Sequence, residues 1–469
     1  MPRRSFLKGM LTVGTASFFA PPLLSAEGVA EVLPLQSEKS PTAVSLAIPT
    51  AEQLAWHDME LGMFIHFDIP IYTPGLKPRF SKDLPDPNLY QPRQLDTDQW
   101  LEAAKAMGAK YAVFVAKHSS GFLQWQSDAY PYGVKQSSWR NGKGDVVGDF
   151  VASCHKYGIK PGFYASLMEN AFFDVVRPGL VKNGDEKAQA RYVRTAEQML
   201  TELWTRYGEL VEIWFDGGIL PPGRGGPDLA PLLEQLQPKA MLFQGPSSRP
   251  NLIRWLGNER GIAPYPCWST ARGGTAEDGD TEKSFGGQPD GKYWIPGECD
   301  VPVRNHDWLW KPNREDRLYS LDQLMEMYYS SVGRGCNMLL NANPDPDGLI
   351  PEADFHRYVE FGKEIKRRFG NQQPSTAGTG SVVSLAFDKP TPINHVIIME
   401  EIAHGQRVRA YKVEGRLASG DWKMLCDGFS IGHKRIQRFD PTTVEAVRFV
   451  ATQSVAEPKI RQFCAFHTA

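Results

Sequence analysis

The chain is poor in cysteine, histidine and net charge, and each shortage closes a class of function. Its six cysteines (Cys154, Cys267, Cys299, Cys336, Cys426 and Cys464) are scattered without a CxxC pair. They supply neither a disulfide framework nor a zinc-finger spacing, and are expected as buried, unpaired thiols. No HExxH occurs, His66 is followed two positions on by Asp68, and His118 is followed by serines. The clustered ligands of a metal hydrolase are therefore missing, and no metal or cofactor is expected. With 52 Lys+Arg against 54 Asp+Glu the net charge is -2, which excludes a broad basic footprint for nucleic acid. There is no GxGxxG after a strand, no Walker loop and no GxSxG, so nucleotide binding and that type of serine hydrolase have no support. Beyond the N-terminus no apolar run is long enough to cross a bilayer.

What is present is 469 residues, 41% hydrophobic and 11% aromatic, enough for one large enzyme-sized domain and a smaller one. Residues 1–26 begin with Arg3-Arg4 before Phe6-Leu7-Lys8, continue in a short apolar stretch and end at Ser25-Ala26. This resembles a twin-arginine export signal, and a periplasmic or secreted protein is expected. The stretch is broken by Gly14, Pro21 and Pro22, so it is too short for a membrane anchor, and no span is expected in the mature form. Residues 27–48 read as a linker.

From residue 49 short apolar runs alternate with amphipathic ones. Strands are expected at 62–67, 111–116, 162–166, 211–215 and 240–244, and helices at 97–107, 146–157, 186–207 and 229–236. Strands apolar on both faces, separated by helices, predict a (β/α)8-like TIM barrel over 49–370. Residues 262–313, rich in Gly, Pro, Asp and Trp, read as long loops, and helices over 321–333 and 354–369 close the barrel. After Gly370 the pattern changes to short strands and turns, which predicts a C-terminal β-sandwich over 371–469. A packing role against the barrel is expected for it before a glycan-binding one.

A barrel gathers its chemistry at the C-terminal ends of its strands. Four expected strand ends carry polar groups: His66; Lys117-His118; Tyr164 and Ser166, with Glu169 just beyond; and Asp216, followed by Gly217-Gly218. Asp216 sits directly after Ile213-Trp214-Phe215, where an apolar strand delivers an acid to the mouth and glycines turn the backbone away. A carboxylate walled by aromatics suits sugar chemistry, and glycosidases need two carboxyl groups with opposite protonation. The partner is Glu259 or Glu298, both read as loop glutamates next to tryptophan.

These residues together resemble glycoside hydrolase family 29, the retaining α-L-fucosidases, over about residues 50–370. Phe64-Ile65-His66-Phe67 is similar to the family's first-strand motif, and Lys117-His118 with Gly121-Phe122 to its KHHDGF. The segment from Trp139 to Val147 resembles a WKNGKGD stretch of the α-1,3/1,4 branch. Trp214-Phe215-Asp216-Gly217 resembles the nucleophile motif, and Ser331-Val332-Gly333-Arg334 with Leu339-Leu340-Asn341 a stretch near the barrel's end. The resemblance implies that Asp216 is the nucleophile and Glu259, in a GNExG segment, the acid/base, with Glu298 in reserve. It implies that His66, His118, Tyr164 and Trp214 grip the sugar, and that the partner is a fucosylated oligosaccharide or glycoconjugate.

The chain departs from the family at His118-Ser119-Ser120, where the pattern is His-His-Asp, and at Phe67-Asp68-Ile69-Pro70. Ser119 is shorter than the histidine it replaces and leaves space. A related sugar (an α-L-galactoside or a substituted fucose) and a carbohydrate-binding protein without turnover therefore stay open as alternatives. Linkage, aglycone and oligomeric state stay open as well.

Overall fold

A computed structural model describes residues 45–273, 285–370 and 374–468, so the expected export signal lies outside the described residues, as does most of the linker. The first element is a short helix, α1 (Ala51–His57), started by a capping box in which Thr50 and Gln53 satisfy each other's backbone amides. Strands and helices then alternate: β1 (Leu61–Ile65), α2 (Thr97–Met107), β2 (Tyr111–Lys117), α3 (Val146–Tyr157), β3 (Lys160–Ala165), α4 (Glu186–Arg206), β4 (Glu212–Trp214), α5 (Ala230–Leu236) and β5 (Met241–Phe243). Next come β6 (Leu252–Trp255), β7 (Gly297–Pro302), α6 (Leu321–Ser330), β8 (Asn337–Ala342) and α7 (Glu352–Phe369). Pairing is parallel and sequential, and β8 returns to β1 to close the barrel.

Local chemistry explains the element ends. Asp96 accepts from the amides of Asp98 and Gln99 at the start of α2, which stops at Gly108 with φ 95°. Asp145 caps α3 through the Gly148 amide at 2.9 Å. Along α2, Trp100, Leu101, Ala104 and Met107 are buried, the apolar face that packs on the strands.

Each strand sorts its side chains by alternation. Phe64, Val113, Val115, Tyr164, Trp214, Phe243 and Leu339 fill the barrel interior, while Met63, Ile65, Phe114, Phe163, Ile213, Leu242 and Leu340 pack outward against the helices. The bottom of the interior is polar. The Trp56 indole donates to Glu212 at 2.9 Å, and the Tyr111 hydroxyl donates to Glu298 at 2.6 Å. Just beyond β7, Arg304 makes three hydrogen bonds of 2.9–3.1 Å with Asp354 of α7, and both side chains are buried. The pair anchors the segment that follows β7 to a helix.

Two readings of the sequence change here. Residues 297–302 are a barrel strand where a loop was expected, residues 252–255 are a barrel strand that the pattern leaves unassigned, and Thr270–Ala271 pairs with Tyr293–Trp294 inside the expected loop stretch. These strands escape a hydrophobicity pattern because β7 turns Glu298 and Asp300 inward, and β6 is four residues long and contains Arg254.

The C-terminal unit is antiparallel: β9 (Ser375–Thr379), β10 (Val382–Glu400), β11 (Val408–Arg416), β12 (Trp422–Gly428), β13 (Arg435–Ser454) and β14 (Lys459–Phe466), in the order β9-β14-β10-β13-β11-β12. Register breaks after Ala386 and Ile393 bend the long β10–β13 pair. Ile393, Val396, Val413, Val447, Phe449 and Phe463 form its own core. It is fixed to the barrel through Tyr329–His395 (2.8 Å) and Ser269–Gln406 (2.7 Å). All six cysteines are free thiols; five are buried and Cys426 is half-buried.

Candidate active site

At the end of β4, alternation turns Trp214 into the barrel and brings Asp216 out at the mouth, where its side chain is 36% exposed. Gly217 and Gly218 follow with φ of 75° and 86°. The positive φ calls for glycine at 217, and a Cβ there would also come within 2.7 Å of the Arg177 guanidinium and push it aside. Asp216 receives the Tyr164 hydroxyl at 3.1 Å, and Arg177 Nη2 at 3.2 and 3.3 Å. Arg177 also binds Glu169 at 3.3 Å.

The wall beside this carboxylate is aromatic. Tyr164 stacks on His118 with centroids 5.6 Å apart and on Trp214 at 5.8 Å, and His118 meets His66 edge-on at 5.7 Å. Burial pushes both histidines below their ordinary range; the charge of Asp216 opposes this at His118. Both are therefore neutral hydrogen-bonding groups near neutral pH. The Asn341 amide nitrogen donates to the Trp308 carbonyl at 3.0 Å, which aims its oxygen at His66 Nδ1, 2.7 Å away. His66 Nδ1 must then be the donor, leaving Nε2 as an acceptor for a hydroxyl.

Glu259 lies on an exposed turn between Gly257 and Gly261, both at positive φ, and Asn258 clasps the turn by donating to the carbonyls of Leu256 and Ile262. The Trp308 indole donates to Glu259 at 2.9 Å while its ring packs 5.0 Å from His66. Trp308 thus joins Glu259 to the same aromatic wall that borders Asp216. Below it, Asp300 accepts from the Trp255 indole at 3.0 Å; burial, reinforced by the charge of Glu259, raises its pKa well above the carboxylate range.

The structure brings His66, His118, Tyr164, Trp214 and Asp216 into one cluster and links Glu259 to it. Glu298 is a correction: it is a strand residue with no exposure, held by Tyr111 and by the Trp214 indole at 2.9 Å, beside the buried Glu212. Burial raises its pKa, and it stands under the mouth as a support for Trp214. Arg177, Trp308, Asn341 and Asp300 were not assigned from sequence. Trp308 in a polar stretch and Asn341 in the Leu339-Leu340-Asn341 motif carried a signal; Arg177, brought in by a small hairpin (Val175–Val176 with Leu180–Val181), carried none.

The family departures meet in space. Ser120 donates to Asp68 at 3.0 Å, so a carboxyl absent from position 120 stands one hydrogen bond away. Ser119 is half-buried and 3.0 Å from His118 Nδ1. Among the described residues, no group of three or more His, Cys, Asp or Glu side chains could hold a metal ion, and no helix is long and apolar enough to cross a membrane.

The profile of the α-L-fucosidase family matches residues 82–368. Among curated proteins, α-L-fucosidase 1 of Arabidopsis thaliana is 31% identical over 88% of this chain and 86% of its own. Among solved structures, a Bacteroides thetaiotaomicron protein assigned as an α-L-fucosidase superposes with a TM-score of 0.85 at 39% identity, covering 91% of this chain and 100% of that one. A glycoside hydrolase 29 family member from a rumen bacterium gives 0.78 at 29% identity, covering 90% and 78%. The chain belongs to the α-L-fucosidase family, glycoside hydrolase family 29, and is a glycoside hydrolase.

Proposed function

We propose that the protein removes terminal α-L-fucosyl residues from glycans by double displacement with retention. Asp216 attacks the anomeric carbon and forms a glycosyl-enzyme; Glu259 protonates the leaving oxygen, then takes the proton of the incoming water. The carrying observation is that acids at the ends of β4 and β6 border one aromatic wall, Asp216 through Tyr164 and Glu259 through Trp308. Arg177 and Tyr164 point hydrogen-bond donors at Asp216 and hold it in place as the nucleophile. His66, His118, Tyr164 and Trp214 form the sugar cradle.

Ser119 favours one refinement. Its small side chain beside His118 leaves room at the sugar's edge, which suits a substituted fucose or an α-L-galactoside alongside fucose. Residues 1–26 support export to the periplasm or beyond. The test of the reaction is Asp216→Asn: turnover of an aryl α-L-fucoside should fall by at least 10³-fold with the thermal transition kept. A variant retaining a tenth of the wild-type rate would overturn the assignment.

A further inference from the structure

Asp216 is followed at once by a cavity that the cleavage chemistry above leaves unused. It has a volume of about 310 Å³ and lies between the segment 217–230 and the segment 244–248, which follow β4 and β5 on the mouth face of the barrel. That volume is at the lower end of the range for small-molecule sites. Leu220, Leu229 and several prolines give it apolar walls; Gln244, Ser247 and Ser248 give it a polar edge.

Gln244 ties the cavity to the site. Its side-chain oxygen accepts from the Gly217 amide at 2.8 Å, one residue from Asp216. Its backbone has φ 52°, a left-handed conformation that a glutamine adopts only when the surroundings impose it. Among the described residues its side-chain amide nitrogen, Nε2, donates to no protein group and is free to meet a hydroxyl.

Barrel topology says what passes here. The strand order puts β5 between β4, which carries Asp216, and β6, which precedes Glu259. The other side of the mouth, from β8 through β3, is occupied by the cradle of Trp308, His66, His118 and Tyr164. A sugar ring held in that cradle, with its scissile oxygen between the two acids, projects its leaving group over β5.

We infer that this cavity is the binding site for the departing alcohol and that it takes a neutral saccharide; the inference rests on the reaction proposed above. The apolar walls suit the C–H face of a pyranose ring, and the glutamine and two serines suit its hydroxyls. Asp228 is the charged residue of the lining, so sulfated or carboxylated leaving groups meet repulsion there.

Ser247 and Ser248 are exposed, so tryptophan at either position fills the cavity without entering the core. Three substrates are compared by kcat/KM: an aryl α-L-fucoside, an α-L-fucoside of lactose, and the same trisaccharide sulfated on its lactose. In the wild type the neutral trisaccharide should exceed the sulfated one by at least tenfold. In S247W or S248W the ratio of neutral trisaccharide to aryl fucoside should fall at least tenfold. A ratio unchanged within twofold in both variants, or a sulfated substrate equal to the neutral one, overturns the subsite while leaving the hydrolase reading intact. A wild type that hydrolyses none of the three overturns both.

Discussion

The Tyr164 hydroxyl donates to Oδ2 of Asp216 at 3.1 Å, while the ring that carries it is sandwiched between His118 and Trp214. One side chain therefore positions the carboxylate and ties it to the aromatic stack at the barrel mouth. Tyr164→Phe keeps the ring and removes the donor. A hydrogen bond to a charged group contributes roughly 1.5–3 kcal/mol, which corresponds to about a 10- to 100-fold loss in kcat. KM should change less than threefold. Steady-state kinetics on an aryl fucoside reads both, and a large rise in KM at constant kcat would place Tyr164 in sugar binding alone.

Trp308 plays the matching part for Glu259. Trp308→Phe retains the packing on His66 and deletes the 2.9 Å donor to the carboxylate. Its effect should depend on the leaving group, because an activated phenol departs without protonation and a sugar hydroxyl does not. The kcat for a fucosylated oligosaccharide should drop about tenfold more than that for a nitrophenyl fucoside. Equal losses on both substrates would show that Trp308 acts through the wall and not through Glu259.

The buried Asp68 makes stability depend on pH. Burial raises its carboxyl from 3.8 to about 7, against the opposing hydrogen bonds from Ser120 and the Ile69 amide. The folded state thus holds a proton that the unfolded chain releases near pH 4. Stability from this group is complete below that value and is lost as pH rises through about 7. The full difference is on the order of 4 kcal/mol. Lys117, brought down from 10.5 to about 7 mainly by burial, has the opposite slope, since the unfolded chain binds its proton more tightly between about 7 and 10.5. Asp68→Asn keeps the neutral shape and removes the first slope. Its midpoint of denaturation should match the wild type at pH 4 and exceed it at pH 8; equal midpoints at both would contradict the assignment of a neutral buried acid.

Much of this site was legible because strand alternation does two things at once. The same period that buries Phe64 and Trp214 brings His66 and Asp216 out at the mouth, so residues just past apolar strands marked it. The period failed at β6 and β7, where Arg254, Glu298 and Asp300 occupy strand positions and the hydrophobic signal vanishes. The pattern there makes Glu298 look like a loop acid, whereas it is a buried support for Trp214. Trp308 and Arg177 stand 49 and 39 residues from the carboxylates they bind, contacts set by barrel closure and a small hairpin and not by any local pattern.

The central assignment is a covalent bond between the sugar and Asp216. Mass spectrometry of enzyme quenched during turnover of a 2-deoxy-2-fluoro α-L-fucoside, followed by peptide mapping, tests it directly. A fluorofucosyl adduct is expected on the peptide containing Asp216 and absent in Asp216→Asn. An adduct on Glu259 or Glu298, or an unlabelled enzyme that releases product of inverted configuration, would contradict it.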